Sequence, residues 1–312
     1  MSALLSAPRV IVPLPIVDAM LAACSVPEPN TGETAWVSGG TYAAGDRRIS
    51  VTAHREYECL AAHTGITTRP EDDPNRWQEI GPTDRWAMFD ATCDTQTATT
   101  GALSVVLWPG NINAIALYKM TGTACEITVR DQPGGAVIYN QIHSLDGPYI
   151  DEYDWCWGPD RKRGKVLVTG LAPWPLAEVT LSVTAGAGMP VGIGMAVVGF
   201  ERTLVTGDWG GTQYGARAEP VDYSYIKTDE FGSTRIVKRR ATTDMRITAE
   251  LPQADADYAL NVLQDLLATP VGVIATSAPG YLGLNVFGLV SGAIVYAGPT
   301  HAQLEINVKG LT

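Results

Sequence analysis

The sequence predicts a mainly β protein with antiparallel, sandwich- or jelly-roll-like sheets and one helix near the C-terminus. The 312 residues include 32 glycines and 20 prolines, which interrupt the chain every few residues. This spacing favours short strands and turns over long helices. Between the interruptions lie strand-sized apolar runs, and a single segment has the periodicity of an amphipathic helix.

The length of the chain predicts more than one domain, because single hydrophobic cores rarely grow to this size. Changes in composition occur near residues 30, 90 and 205. We expect a Pro-rich extended arm (1–30), a small aromatic-rich domain (31–90), a β-sandwich or jelly-roll domain (91–205) and a β-rich assembly domain (206–312).

The predicted arm contains five prolines around the apolar segment Val10-Ile11-Val12. Proline fixes φ and removes a backbone donor, so we expect at most one edge strand here. An apolar arm is a liability in a free monomer, but in an assembly it would lie along a neighbouring subunit.

The segment 31–90 is rich in aromatic residues and contains alternating strand patterns at 49–52 and 57–60. A domain this small buries little surface, so large aromatic rings must supply most of its core.

Residues 91–205 read as a series of short strands separated by Gly, Pro, Asn or Asp, which is typical of an antiparallel sandwich or jelly roll. The predicted strands are 102–108, 114–120, 124–130, 136–143, 165–169, 179–184 and 191–200.

The last hundred residues continue the strand pattern at 272–276, 282–289, 293–296 and 302–308 and add one helix at about 255–268. Asp255 is the expected N-cap, and Thr269-Pro270 ends the helix. The predicted apolar stripe consists of Ala256, Ala259, Leu260, Leu263 and Leu267.

The net charge of -11 argues against nucleic-acid binding, which depends on neutralising several phosphates. The basic run Lys238-Arg239-Arg240 is then best explained as a solvated or salt-bridged face.

The five cysteines, Cys24, Cys59, Cys93, Cys125 and Cys156, form no C-x-x-C pair and are odd in number. We expect reduced thiols rather than a disulfide framework or a zinc site. Residues 21–24 resemble a lipoprotein cleavage box, but residues 1–5 carry no Lys or Arg and the apolar stretch is interrupted by prolines and Asp18, so lipidation is not expected. The apolar run 188–200 is too short to span a bilayer, and we expect no membrane insertion.

No sequence motif indicates catalysis: the nucleophile elbow, the phosphate-binding loop and the H-E-x-x-H motif are all missing, and the four histidines share no metal-ligand spacing. The acidic groups 71–73 and Asp151, Glu152 and Asp154 lie in loop-like segments, where exposed charges are usual. We therefore expect no enzymatic activity, catalytic residue, metal or cofactor.

The segment 149–157 combines aromatic and acidic residues. Ring faces stack on sugars while carboxylates accept hydroxyl hydrogens, and protein interfaces are also rich in Trp and Tyr. Glycan contact, a subunit interface and local packing are all open interpretations. The candidate residues are Tyr149, Asp151, Tyr153, Trp155 and Trp157.

A pattern over residues 34–80 resembles the small chitin-binding type of carbohydrate-binding module. It consists of Trp36, Gly40-Thr41-Tyr42, Gly45-Asp46, Tyr57-Glu58-Cys59, Pro70 and Trp77. The sequence departs from that family at Arg47-Arg48, where a valine usually follows Gly-Asp. The resemblance implies a glycan site at Trp36, Tyr42, Tyr57 and Trp77, whereas burial of these rings in a small core would make the module a spacer or docking piece.

Residues 80–90, Ile-Gly-Pro-Thr-Asp-Arg-Trp-Ala-Met-Phe-Asp, resemble a phrase that follows such a module in phage and prophage virion proteins. The likeness implies a structural component of a bacteriophage tail, at the tail tip, baseplate or collar, that is assembled in the host cytoplasm as a symmetric oligomer. Its expected partners are other copies, neighbouring tail proteins and host cell-surface polysaccharide. The alternatives are a dedicated host-glycan-binding adhesin, a polysaccharide hydrolase with a binding module and a head decoration protein.

Overall fold

The computed structural model describes residues 5–90, 95–147, 151–158, 162–206, 209–228, 232–239, 241–278 and 280–311. The predicted fold class is confirmed, since the described chain is mainly antiparallel β-structure with its longer helix near the C-terminus.

The described strands and helices follow one another in a nearly all-β order. The strands are β1 Arg9–Pro13, β2 Leu21–Cys24, β3 Thr41–Tyr42, β4 Arg47–Ser50, β5 Arg55–Cys59, β6 His63–Thr64, β7 Trp77–Pro82, β8 Thr97–Thr100, β9 Ala102–Leu107, β10 Ala114–Thr121, β11 Ala124–Arg130, β12 Val137–Ser144, β13 Lys165–Val168, β14 Glu178–Thr184, β15 Pro190–Thr203, β16 Gly211–Thr212, β17 Arg217–Asp222, β18 Tyr225–Thr228, β19 Thr234–Val237, β20 Ala241–Pro252, β21 Pro270–Ile274, β22 Asn285–Val295 and β23 His301–Gly310. The α-helices are α1 Glu152–Trp157 and α2 Ala256–Asp265, and 3-10 helices occupy Asp18–Met20, Pro70–Asp72, Ala87–Phe89, Gln253–Asp255 and Leu282–Leu284.

Two compact units account for the chain. The central unit contains Pro15–Ile112 and Leu117–Ala196, and the terminal unit contains Met1–Leu14, Asn113–Ala116 and Val197–Thr312. The domain boundaries expected near residues 30, 90 and 205 stay a prediction.

The central unit contains a five-stranded antiparallel sheet in the order β12-β11-β14-β9-β2. In β11 and β14 every second side chain is buried, which is the alternation that the sequence shows at 124–130 and 179–184. The same unit holds β13, β8 and the parts of β10 and β15 that pair with them. The small sheets β4-β5-β7 and β3-β6 form the aromatic-rich module.

Within the module, Arg47 and Arg48 belong to β4, which pairs with β5 through Arg47↔Glu58 and Arg48↔Tyr57. The strand predicted at 49–52 therefore begins and ends two residues earlier. Both arginine side chains have acidic neighbours: Arg47 Nε lies 3.3 Å from Glu58 Oε2, and Arg48 lies near Asp46. The two arginines, which depart from the family pattern, therefore fit into β4 without entering the core.

The terminal unit is built on strands in the order β15-β1-β21-β22-β23-β20-β16, with β17 also paired to β20. The strand β1 pairs with β15 on one side and with β21 on the other. The prediction of an arm with at most an edge strand is therefore wrong for this segment. Pro8 and Pro13 flank the ladder, so Arg9 to Val12 keep their backbone donors for pairing.

Residues 1–30 also contain a second strand, whereas at most one was predicted. This strand, β2 (Leu21–Cys24), belongs to the five-stranded sheet and pairs with β9. Cys24, the residue of the lipoprotein-like box, lies opposite Val105. Both strands within residues 5–30 thus pair within their own chain.

Helix α2 packs against β22 and β23 and buries Ala256, Ala259, Val262 and Leu263. The predicted stripe is partly wrong, because Leu267 is exposed and Leu266 is buried in its place. Asp255 makes no side-chain cap hydrogen bond; its carboxylate accepts hydrogen bonds from Thr206 N at 2.7 Å and Thr206 Oγ1 at 2.6 Å. A Cβ at Gly292 would lie 2.9 Å from Leu263 Cδ1, so glycine permits the close approach of the helix to β22.

In the part of the chain that the structure describes, no helix combines the length and the apolar character needed to cross a membrane.

Candidate functional site

The four aromatic residues of the carbohydrate-module pattern lie around one small core. Tyr42, Tyr57 and Trp77 are buried there together with Cys59, and Trp36 packs at the margin. The rings of Tyr42 and Trp77 meet edge to face, with centroids 5.1 Å apart. The Tyr42 hydroxyl donates to Val37 O and accepts from Val37 N, both at 2.8 Å.

This burial does not fit the glycan-binding role predicted for Tyr42, Tyr57 and Trp77. Stacking on a sugar requires an exposed ring face, and these faces are covered by neighbouring side chains. The physical reason is the size of the module, whose core consists largely of these rings. Among the four, Trp36 retains partial exposure.

The virion-like phrase at 80–90 forms a clasp, which we define as Thr83, Asp84 and Trp86 together with Glu28 and His54. Thr83 Oγ1 donates to Glu28 Oε1 at 2.6 Å, and His54 Nδ1 lies 3.0 Å from Glu28 Oε2. The indole of Trp86 stacks on the His54 ring at a centroid distance of 4.3 Å. The clasp thereby ties the chain on both sides of the module together.

A second set of hydrogen bonds extends the clasp to residues 30–33. Asp84 N donates to Glu33 Oε1 at 2.8 Å, and Asn30 Nδ2 donates to Asp84 Oδ2 at 2.8 Å. Burial raises the pKa of the Glu33 carboxyl, and hydrogen bonds from the Asn30 and Asp84 amides oppose that rise. These contacts give the phrase a structural role.

Beside the clasp lies an open cleft of about 360 Å³ whose wall includes Asp18, Thr52, His54, Arg55 and Phe89. The lining includes both acidic and basic side chains, among them Asp18 and Arg55. The His54 ring also contacts Glu28. The cleft is large enough for one small polar molecule.

The acidic and aromatic segment predicted as a loop contains the short helix α1. Asp151 is its N-cap, with extended backbone and a carboxylate that accepts a hydrogen bond from Asp154 N at 2.8 Å. The prediction of a loop is wrong here because the capping aspartate starts a helical turn and neither glycine nor proline interrupts the chain before Gly158.

The side chains of α1 lie outside any core, since none of its residues is buried. Tyr153, Trp155 and Trp157 are 70%, 67% and 74% exposed, and the rings of Tyr153 and Trp157 stand 5.3 Å apart, one helical turn from each other. Asp151 and Glu152 are exposed beside them. Tyr149, the remaining predicted residue, lies outside the described residues. Packing against the residues that the structure describes does not account for these rings, so glycan contact and an interface are the interpretations that we take forward.

The structure also reveals an exposed hairpin formed by β18 and β19, which the sequence analysis missed. Its register places Tyr225 opposite Val237, Ile226 opposite Ile236 and Lys227 opposite Arg235. Ile226 and Ile236 are 67% and 64% exposed. The β-branched and aromatic residues at 225–228 and 234–237 and the glycine between them are the signals that pointed to it.

Basic residues are concentrated on this hairpin. The sequence from 223 to 240 includes Lys227, Arg235, Lys238, Arg239 and Arg240 together with two acidic residues, Asp229 and Glu230. The Arg239 guanidinium lies 4.8 Å from the centroid of the Tyr225 ring. Lys238 and Arg239 of the predicted basic run thus extend the basic and aromatic surface of this strand pair. Arg240, the last residue of the run, lies outside the described residues.

The remaining candidate groups are metal-ligating side chains and cysteines. Over the described ranges no group of three or more His, Cys, Asp or Glu side chains is arranged to hold a metal ion. Cys24, Cys59, Cys125 and Cys156 are free thiols, as predicted for these four, and Cys93 lies outside the described residues. Burial raises the pKa of the Cys125 thiol to about 12.

Comparison with known proteins gives weak similarities. No family model matches the chain, and no curated protein matches it. A solved chitosan-binding module 1 from a chitosanase/glucanase of Paenibacillus sp. IK-5 is 12% identical with a TM-score of 0.25, over 36% of this chain and 82% of that one. The fucose-binding module SpX-3 of Streptococcus pneumoniae is 11% identical with a TM-score of 0.26, over 37% and 83%. Scores this low carry no inference about function.

Proposed function

We propose that this protein is a non-enzymatic structural component of a bacteriophage tail, at the tip, baseplate or collar. It assembles in the host cytoplasm with other copies of itself and with neighbouring tail proteins. The observation that carries the assembly role is the exposure of Tyr153, Trp155 and Trp157 on a helix with no buried residue. Adjoining exposed rings, such as Tyr153 and Trp157 on one side of the helix, mark interaction sites on a protein surface.

The size of this aromatic surface suits an interface. A covered aromatic side chain buries about 150–250 Å², so covering what remains exposed of Tyr153 and Trp157, which share one side of the helix, contributes roughly 7 kcal/mol at about 25 cal/mol per Å². Association itself costs roughly 4–15 kcal/mol. The rings alone thus approximately offset that cost, and a stable oligomer needs a second contact surface, which the hairpin can supply.

The phage setting is supported by the resemblance of residues 80–90 to virion proteins. In the structure, Thr83, Asp84 and Trp86 of this phrase hold residues 28–33 and 54 against the module.

The tail role is tested by locating the protein in particles from cells that produce the virus. We expect gold-labelled antibody against the chain to decorate the tail in electron micrographs. Label over the capsid would instead show a head decoration protein, and particles without label would overturn the proposal.

A dedicated host-glycan adhesin is the second candidate, favoured by the exposed carboxylates of Asp151 and Glu152 next to exposed rings. For an adhesin we expect the purified chain to bind a cell-surface polysaccharide on a glycan array and the Trp155→Ala variant to lose that binding. Release of reducing sugar from the bound polysaccharide would contradict the non-enzymatic role and support a hydrolase with a binding module.

A further inference from the structure

We infer that strand β12 of one copy pairs antiparallel with β12 of a second copy. This inference rests on the proposed function and deepens it, because it names a surface through which copies assemble. Strand β12 borders the five-stranded sheet and pairs with β11 on one side, and no strand within the described residues pairs with its other side. The outer row of backbone N–H and C=O groups is therefore open to another strand.

Strand β12 differs from the other strands that border the described sheets. Proteins protect such edges by keeping them short or by placing charges and proline on them. The two other bordering strands longer than four residues, β7 and β17, each contain a proline and at least one acidic residue. Strand β12 has eight residues and contains no Lys, Arg, Asp, Glu or Pro. It is thus a long edge without the usual protection.

The side chains of β12 add apolar surface to this open edge. Val137 and Ile142 are 50% and 69% exposed. Burial lowers the pKa of the His143 imidazole, so this ring is neutral at neutral pH. On the neighbouring strand β11, the Glu126 carboxylate accepts a hydrogen bond of 2.8 Å from the Asn140 amide. The edge is therefore uncharged and partly apolar.

An uncharged edge favours a second copy as the partner. In a two-fold contact the same strand lies on both sides, so a charged side chain near the axis would meet its own like charge. Strand β12 avoids this repulsion in a chain whose net charge of -11 otherwise opposes self-association. A strand rotated by 180° also presents donors opposite acceptors, so two β12 edges satisfy each other without a different partner sequence.

The register within the sheet shows which side chains the contact would bring together. Gln141 lies opposite the buried Ile127 of β11, whereas Ile142 lies opposite Glu126 on the solvated face. A two-fold axis perpendicular to the sheet keeps each face on its own side. Gln141 and Ile142, next to each other near the middle of the strand, therefore sample both faces of the contact.

The test places charges at these two positions in the full-length chain and measures self-association by sedimentation velocity. One double variant carries Gln141→Lys with Ile142→Lys, and the other carries Gln141→Glu with Ile142→Glu. Each is expected to weaken self-association at least about tenfold, because like charges approach each other and each change occurs twice in a two-fold contact. An equimolar mixture of the two variants is expected to recover most of the lost affinity, because opposite charges then meet.

The matched control is Leu176→Lys, which places the same charge at an equally exposed apolar residue outside β12 and leaves self-association unchanged. Hydrogen exchange supplies a second readout. Amides of β12 are expected to gain protection as the concentration of the unaltered chain rises, since pairing covers the open edge. Far-UV circular dichroism first confirms that every variant is folded.

The outcomes separate this inference from the proposed function. If the unaltered chain associates and neither double variant weakens it, the β12 contact is overturned while the assembly role stands. If both variants are weakened and their mixture does not recover, β12 meets a different surface and the two-fold contact is overturned. If the unaltered chain stays monomeric at every concentration, the assembly role itself fails, and the β12 contact fails with it.

Discussion

Replacing Val10 by aspartate is expected to unfold the terminal unit. Val10 is 0% exposed, pairs with Arg202 in β15 and Val273 in β21, and belongs to the core beneath helix α2. A carboxylate at this position would be buried without a partner, which costs more than about 4 kcal/mol and is comparable to the total stability of many domains.

The matched control is Val17→Asp, because Val17 is half exposed. We expect this change to alter the free energy of unfolding by no more than about 0.5 kcal/mol. Urea denaturation monitored by circular dichroism measures both variants. Equal stability of the two would show that residues 9–13 are a peripheral arm after all.

Replacing Trp77 by alanine is expected to destabilise the aromatic-rich module by about 3–5 kcal/mol, the usual cost of removing a large buried aromatic ring. Trp77 is 2% exposed and contacts the Tyr42 ring, and the module has few other core side chains to compensate. The exposed Trp155→Ala serves as the control, and its loss of stability should stay below about 1 kcal/mol.

Hydrogen exchange of the β5 and β7 amides localises the effect of Trp77→Ala. We expect these amides to lose protection while those of β22 and β23 keep it. A Trp77→Ala variant with unchanged protection and weakened polysaccharide binding would restore the glycan role that the sequence suggested for this residue.

The strict alternation of buried and exposed residues explains which elements the sequence predicts well. The strand predicted at 124–130 coincides with β11, and that at 179–184 differs from β14 by one residue. Each has one buried and one solvated face, so its period of two is visible in the sequence. Helix α2 was predictable because its apolar residues also recur with a regular period, that of a helix. Its buried stripe includes Val262 and Leu266 rather than Leu267.

Non-local pairing and exposure explain what the sequence does not predict. The ladder of β1 joins Val10 to residues far along the chain, and nothing in its local pattern distinguishes a central strand from an edge. Helix α1 is too short for a periodic signal and depends on the Asp151 cap. Trp77 is buried and Trp155 is exposed, and residue type alone does not distinguish a core ring from an exposed one.

The assembly role depends on whether the exposed rings of α1 and the exposed hairpin find partners on other copies. Sedimentation velocity of the purified full-length chain over a wide concentration range tests this directly. We predict a concentration-dependent shift from the 33.2 kDa chain to one discrete multiple of that mass. A single species with the mass of one chain at every concentration would contradict it.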